Sequence, residues 1–299
     1  MKFYVTYLFV WVEPDSYRVI VPSYSMTQYL WLIPLGFVIG AYGTLIGAGG
    51  GFVLVPILLF LYPDESPEII TCISLAVVFF NALSGSLAYS RMRRIDYKSG
   101  LLFSVATIPG AILGALTTAY IPRRLFEAVF GMLMIAASGV MLFRASWRTD
   151  TNADNTKRHF KRNLVEADGS KHIFSFNPIV GVGISFFVGY LSSLLGIGGG
   201  IIHVPALVHF LNFPVHIATA TSHFVLSIMA LTGTVVHIAA GVFSHGVRRT
   251  ITLAIGVFFG AQLGAYLSHR VHGIWIIRGL AIALALVGLR VLLMAFGFR

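Results

Sequence analysis

Residues 40–58 read GAYGTLIGAGGGFVLVPIL, and residues 189–207 read GYLSSLLGIGGGIIHVPAL. One constant offset carries Gly40 onto Gly189, Gly47 onto Gly196, Gly49-Gly50-Gly51 onto Gly198-Gly199-Gly200, Pro56 onto Pro205 and Leu58 onto Leu207. Both copies interrupt long apolar stretches. Three successive glycines suit a helix interior badly, each costing about 1 kcal/mol relative to alanine, so the chain is expected to break there. A matching break in two hydrophobic halves points to a transporter's binding site.

Composition sets the class around that motif. Apolar residues make up 57% of the 299 and charged ones 11%, with a mean hydropathy of +0.85. Soluble domains carry about 25% charged residues, so this chain cannot cover a water-facing surface. Several apolar runs reach the roughly 20 residues that span a bilayer core as helix. The fold class expected is an all-α polytopic membrane protein. The single cysteine, Cys72, excludes a disulfide framework and a thiolate metal cluster. The net charge of +10 gathers in short loops, which argues for membrane orientation and against a nucleic-acid partner.

Eight apolar segments emerge, near 29–62, 69–90, 100–121, 125–145, 178–212, 217–243, 250–269 and 273–297. The first of each half is too long for one crossing and holds the glycine break: a helix to about Ile46, a turn, then a short helix from Phe52. The repeat persists with small slips, pairing Ser74, Ser84 and Gly85 with Ser222, Thr232 and Gly233, and Gly110 and Gly114 with Gly260 and Gly264. Arg91, Arg93, Arg94 and Lys98 fill one loop, Arg248 and Arg249 another, and the linker with its edge carries Arg144, Arg148, Lys157, Arg158, Lys161, Arg162 and Lys171. Placing these loops together in the cytoplasm makes the two four-span repeats parallel and puts both termini inside. The units expected are an N-terminal extension (1–28), a first repeat (29–145), a polar, mobile cytoplasmic linker (146–177) and a second repeat (178–299).

The chemistry follows from the break. Successive free N–H groups form an anion-binding nest, and a helix restarting after the glycines adds its positive end. Gly47, Gly49, Gly50, Gly51, Gly196, Gly198, Gly199 and Gly200 are therefore candidates for binding a small anionic substrate, with Pro56 and Pro205 structural. The second spans supply Ser74, Asn81, Ser84 and Ser86 in the first half and Thr221, Ser222, Thr232 and Thr234 in the second; Ser74, Thr221 and Ser222 are the candidate contacts among them. His223 and His237 are candidates for a proton relay, since histidine titrates near neutrality. No Asp or Glu lies inside a span; Glu127 stands at the start of the fourth. No cofactor and no metal are expected. Gly110-x-x-x-Gly114 and Gly256-x-x-x-Gly260-x-x-x-Gly264 read as close helix packing.

With G-x-x-x-x-x-x-G-x-G-G-G-x-x-x-x-P-x-L in both halves, serine-containing second spans and G-A-x-L-G-A blocks, the chain resembles the sulfite exporter TauE/SafE family across most of 29–297. The resemblance implies an inner-membrane or organellar permease of about eight spans that exports sulfite, sulfonates or related organic anions, with a bacterial inner membrane as the reading taken. It carries the family's motif onto the eight glycines and two prolines above. At Cys72-Ile73-Ser74 the chain departs from the Gly-Thr-Ser such proteins often show, whereas Thr221-Ser222 is kept. Two other readings use the same features: an anion channel, and a membrane enzyme or assembly factor. The reading taken is a transporter rather than an enzyme, with the lipid bilayer as its surroundings; the sequence does not speak to its oligomeric state.

Overall fold

The structure, a computed structural model, describes residues 29–144, 160–268 and 273–296. The N-terminal extension and the first part of the linker, 145–159, lie outside the described residues. In the first half the helices are α1 (Leu32–Ile46), α2 (Gly51–Leu61), α3 (Pro67–Arg91), α4 (Tyr97–Thr118) and α5 (Arg123–Arg144). A two-stranded hairpin, β1 (Phe160–Val165) and β2 (Lys171–Phe176), follows. The second half holds α6 (Pro178–Leu195), α7 (Gly200–Phe210), α8 (Val215–Ala239), α9 (Val247–Ser268) and α10 (Gly273–Ala295).

Local signals begin these helices. Ser66 Oγ accepts from Ile69 N at 3.3 Å, ahead of a proline that presets the first turn. Asp96 caps α4 through Ser99 N, and Asn177 caps α6 ahead of Pro178. By length and composition α3, α4, α6, α8 and α9 are each able to cross a membrane. Their outward faces are apolar: Leu101, Val105 and Leu113 on α4 and Ile251, Ile255 and Phe259 on α9 are exposed. Side chains such as these avoid water at about 25 cal/mol per Å², so the surface is made for lipid. The architecture is that of a polytopic helical membrane protein.

The helix pairing is two-fold. α1 packs on α9 and α4 on α6; α3 packs on α9 and α8 on α4; α3 meets α8 and α5 meets α10. Exchanging the first five helices for the last five leaves these pairs unchanged. Glycines make the tightest of them. A β-carbon on Gly256, Gly260 or Gly264 would lie 2.1–2.2 Å from the carbonyls of Ile33, Phe37 and Ala41, and one on Gly110 or Gly114 would lie 2.2 Å from those of Phe186 and Tyr190.

The order of these contacts fixes helix direction. Along α1 and α9, Gly36 meets Leu253, Gly40 meets Val257 and Ala41 meets Gly264, so the two run the same way. Along α3 and α8, Gly85 meets His223 while Leu75 meets Gly233, so these run oppositely. α5 and α10 are also antiparallel, with Gly131 on Leu292 and Ser138 Oγ donating to Ala281 O at 2.7 Å. A two-fold operation that turns α3 into an antiparallel α8 has its axis across the helices. The two halves are therefore inverted, and the parallel relation expected from loop charge does not hold.

The reason is the break itself. After Gly47 the chain folds back: a β-carbon on Gly50 would lie 2.8 Å from the Ile39 side chain and one on Gly43 would lie 2.4 Å from Gly50 N. The far end of α2 then reaches the face where α1 began. There the Arg249 guanidinium lies 3.8 Å from the Tyr62 ring centroid, Arg249 Nη1 pairs with Glu65 at 2.8 Å, and Arg123 donates to the carbonyls of Leu59, Pro63 and Glu65. α1–α2 is a pair of half-helices that enters and leaves by one face, where a single broken crossing was expected. The loops at 91–98 and 248 consequently lie at opposite ends of the bundle. The outer ends of α1 and α10 lie opposite the hairpin; the termini, expected on the linker's side, lie outside the described residues.

The linker also differs from its reading as a solvated connection. Residues 160–176 pair in register from Phe160↔Phe176 to Val165↔Lys171. Phe174 and Phe176 are buried, with ring centroids 4.4 and 5.2 Å from that of Phe213. Glu166 is buried and accepts from Arg94 Nε at 2.6 Å, and Arg162 lies 3.4 Å from Asp96. An alternation of two buried phenylalanines is too short to stand out in a polar stretch searched for helical period.

Two outcomes test this arrangement. Single cysteines at Gly169, in the hairpin, and at Ser244, between α8 and α9, in a chain carrying Cys72→Ala, are expected to react with an impermeant maleimide from opposite sides of oriented vesicles. Labelling from one side alone would restore the parallel arrangement. Gly260→Val is expected to cost about 3 kcal/mol by overpacking against backbone, read as lost stability in detergent unfolding. Gly183→Ala, whose β-carbon meets nothing within 4 Å, should leave it unchanged.

Candidate functional site

Helix α1 ends at Ile46 because Gly47 turns left-handed at φ 85°, and Gly49 and Gly50 follow at 76° and 79°. Gly196, Gly198 and Gly199 repeat this at 68°, 80° and 68°. Side chains rarely adopt this region, at a cost of about 1–2 kcal/mol per residue, so glycine at these six positions is what the geometry requires. The released N–H groups partly turn back on the helix: Ala48 N and Gly49 N both donate to Gly43 O, and Ile197 N donates to Ser192 O.

The restarting helices are left uncapped. The N-caps of α2 and α7 are Gly50 and Gly199, and neither has a side chain to offer. The first N–H groups of a helix have no acceptor within it, and the positive end of the helix dipole lies there. These two ends meet deep in the bundle. A β-carbon on Gly51 would stand 2.6 Å from Gly196 O, and one on Gly200 would stand 2.2 Å from Gly47 O. Val78 of α3 and Leu226 of α8 pack against Gly49, and Val78 also against Gly198. The structure thus brings all eight candidate glycines into one crossing, every one of them buried. Pro56 and Pro205 lie inside α2 and α7, one turn beyond their starts.

The candidate hydroxyls divide. Ser74 is at the crossing, where its Oγ donates to Gly196 O at 2.6 Å. Ser222 is fully buried, and its Oγ has no protein partner. Thr71 packs against Gly196 and Ser192 against Gly199, each with an unpartnered hydroxyl. Thr221 is elsewhere: its Oγ1 accepts from Asp96 N at 3.1 Å, at the corner between α3 and α4. It holds the bundle's hairpin end and does not reach the crossing.

The histidines also separate. His223 Nε2 lies 3.2 Å from Thr44 Oγ1, which donates to Asn81 Oδ1 at 2.9 Å. His237 sits at the other end of α8, its Nδ1 4.0 Å from Glu68. Fourteen residues of helix put the two about 21 Å apart, so the structure does not join them. His203 stands edge-on to Phe103 and 3.4 Å from Ser185 Oγ. Thr44 escaped the sequence reading. A hydroxyl one turn before a helix break is the signal that would have found it.

The carboxylates stand apart from the crossing. Glu65 pairs with Arg249, Glu127 with Arg123, Asp96 with Ser99 and Arg162, and Glu166 with Arg94, all at helix ends or in the hairpin. The crossing holds N–H ends, hydroxyls and one amide beside the carbonyls of Gly47 and Gly196, and its uncapped helix ends favour negative charge. Gly50→Ala is expected to strain the left-handed backbone and strike Ile39, lowering stability by about 2 kcal/mol. Ser74→Ala should cost only about 1 kcal/mol. Both are read from denaturant unfolding in detergent.

Comparison with known proteins bears on what such a crossing does. The family described as sulfite exporter TauE/SafE matches residues 32–291. The chain is 34% identical over 267 residues to the probable membrane transporter protein YunE of Bacillus subtilis, covering 87% of this chain and 96% of that one. It is 25% identical to a probable membrane transporter protein of Methanocaldococcus jannaschii, over 82% and 89% of the two chains. A third, from Xylella fastidiosa, is 23% identical over 79% and 82%. No solved structure matches the chain.

Proposed function

The chain belongs to the sulfite exporter TauE/SafE family, a family of membrane transporters, and we propose that it moves a small anion, sulfite or a related sulfonate or organic anion, by alternating access. The observation that carries the reading is the meeting of two uncapped half-helix ends, α2 and α7, inside a membrane bundle. Their positive ends supply the field that an anion needs once water is stripped away. Half-helices meeting near the midplane of an inverted repeat are the arrangement in which secondary transporters hold their substrates. The family's description names sulfite; the two uncapped helix ends support that charge.

In this reading six helices cross the bilayer, α3, α4 and α5 with α8, α9 and α10. The pairs α1–α2 and α6–α7 enter from opposite faces and meet. The face bearing Arg91, Arg93, Arg94, Lys98 and the hairpin is cytoplasmic by its positive charge, which puts the outer ends of α1 and α10 on the far side of a plasma membrane. Transport follows from each half rocking against the other, so that the crossing opens in turn to the two faces. The membrane potential favours anion export by about 2.3 kcal/mol per charge per 100 mV.

Radiolabelled sulfite uptake into inside-out vesicles tests the proposal. Wild-type protein is expected to accumulate sulfite, and a Gly50→Leu, Gly199→Leu double variant that still inserts is expected to lose it. Failure of the wild type with sulfite, sulfonates and organic anions alike would refute the reading. Conductance far above carrier turnover, without counterflow, would replace it with a channel.

A further inference from the structure

The two half-helix ends have different polar surroundings, although the helices around them obey a two-fold pairing. Beside α2 stands Asn81, fully buried. Its Oδ1 accepts from Thr44 Oγ1 at 2.9 Å, and its Nδ2 has no protein partner. That nitrogen is 3.6 Å from where a β-carbon of Gly50 would be, at the N-cap of α2.

The hydrogen bonds around Asn81 have one consistent direction. A hydroxyl has a single proton, and Thr44 uses it on Asn81 Oδ1, which only accepts. His223 Nε2, 3.2 Å from the same hydroxyl, must then be the donor. The tautomer of His223 sets the rotor of Thr44, and Thr44 sets which way the amide faces. The result aims both Nδ2 protons away from Thr44, on the side of Asn81 where the helix end lies. Gly85 makes the junction possible: a β-carbon there would lie 2.6 Å from the His223 ring and 3.0 Å from Thr44 Cγ2.

The α7 end has no such amide; its donor is a single hydroxyl, Ser192 Oγ, which has no protein partner and lies 2.6 Å from where a β-carbon of Gly199 would be. Repeat pairing puts Ser193 where Thr44 stands and Met229 where Asn81 stands. The Met229 sulfur lies 3.3 Å from where a β-carbon of Gly199 would be, and a thioether donates nothing. Gly233, the counterpart of Gly85, faces Leu75 and Ser193 with no histidine.

Resting on the anion-transporter reading above, we propose that the anion is held at the α2 end, by the Asn81 amide together with the free N–H groups of Gly51 and Phe52. Thr44 and His223 are positioning residues for that amide. Donors from a side chain and from a helix end, arriving from two directions, select an oxyanion with at least two acceptor oxygens over a simple halide. The site is then off-centre, on the α2 side of the crossing, and takes one anion per chain.

Equilibrium dialysis of purified protein with radiolabelled sulfite, then sulfate and chloride, tests this. Wild type is expected to bind one sulfite per chain and to bind chloride far more weakly. Asn81→Leu should weaken sulfite binding by about tenfold or more, the loss of a hydrogen bond to a charged group, and Asn81→Asp should abolish it. Met229→Leu should stay within about twofold. His223→Phe should weaken binding, and His223→Gln, which keeps a donor, should restore it; this pair gives the answer even if Asn81→Leu does not fold. Binding that survives in folded Asn81→Leu, or a Met229→Leu loss as large, overturns the placement and leaves the transporter reading standing. No binding of any of the anions by wild type overturns both.

Discussion

Two backbones occupy the same few ångströms at the centre of this bundle. Gly196 O lies 2.6 Å from where a β-carbon of Gly51 would stand, and Gly47 O 2.2 Å from where one of Gly200 would stand. Everything else in the fold answers to that crossing. Because Gly47, Gly49 and Gly50, and likewise Gly196, Gly198 and Gly199, turn left-handed, α1 and α6 stop in the interior, and α2 and α7 start there without caps. Because the chain then folds back, each half-helix pair uses one face only, and the second half is inverted relative to the first. The long helices α3 and α8 run antiparallel through the centre and press Val78 and Leu226 against the glycines.

Lipid makes this constraint stricter than it would be in water. A backbone N–H with no partner in hydrocarbon costs several kcal/mol, so irregular chain is tolerated only where protein encloses it. The described structure encloses it fully: the glycines are buried, while leucine, isoleucine and phenylalanine cover the outer faces. Enclosure also excludes water from the dipole ends, and their pull on an anion is stronger there than at a surface. The same geometry therefore serves folding and recognition. The ion pairs Arg249–Glu65, Arg123–Glu127 and Arg94–Glu166 hold the two rims, away from that field.

Much of this was legible in the chain. The break after Ile46, the restart beyond the triplet and the packing glycines at 110, 114, 256, 260 and 264 follow from residue type and spacing. So does the membrane class, from the scarcity of charge. Helix direction was not legible, because a glycine turn that bends a crossing and one that reverses it read alike. Counting basic loops led to a parallel repeat, since Arg248 and Arg249 were placed with Arg91–Lys98; in the fold Arg249 answers Glu65 at the opposite end. Thr221 matched Ser74's neighbourhood in register yet ends on Asp96 N, because hydroxyls separated by one position point to different sides of a helix.

Sequence alone determined where the helix had to stop, because φ and helix propensity are properties of the residue and its immediate neighbours. It also determined that the stops come in a pair and that their surroundings are apolar. Tertiary structure alone decided that the two stops touch, that the halves are inverted, and that Asn81, Thr44 and His223 converge on one of them. Those outcomes depend on which surfaces fit when α3, α8 and the half-helices pack, a contact between residues up to 179 positions apart. No local pattern encodes such a distance, so the asymmetry between Asn81 and Met229 became meaningful only once each stood beside its glycine.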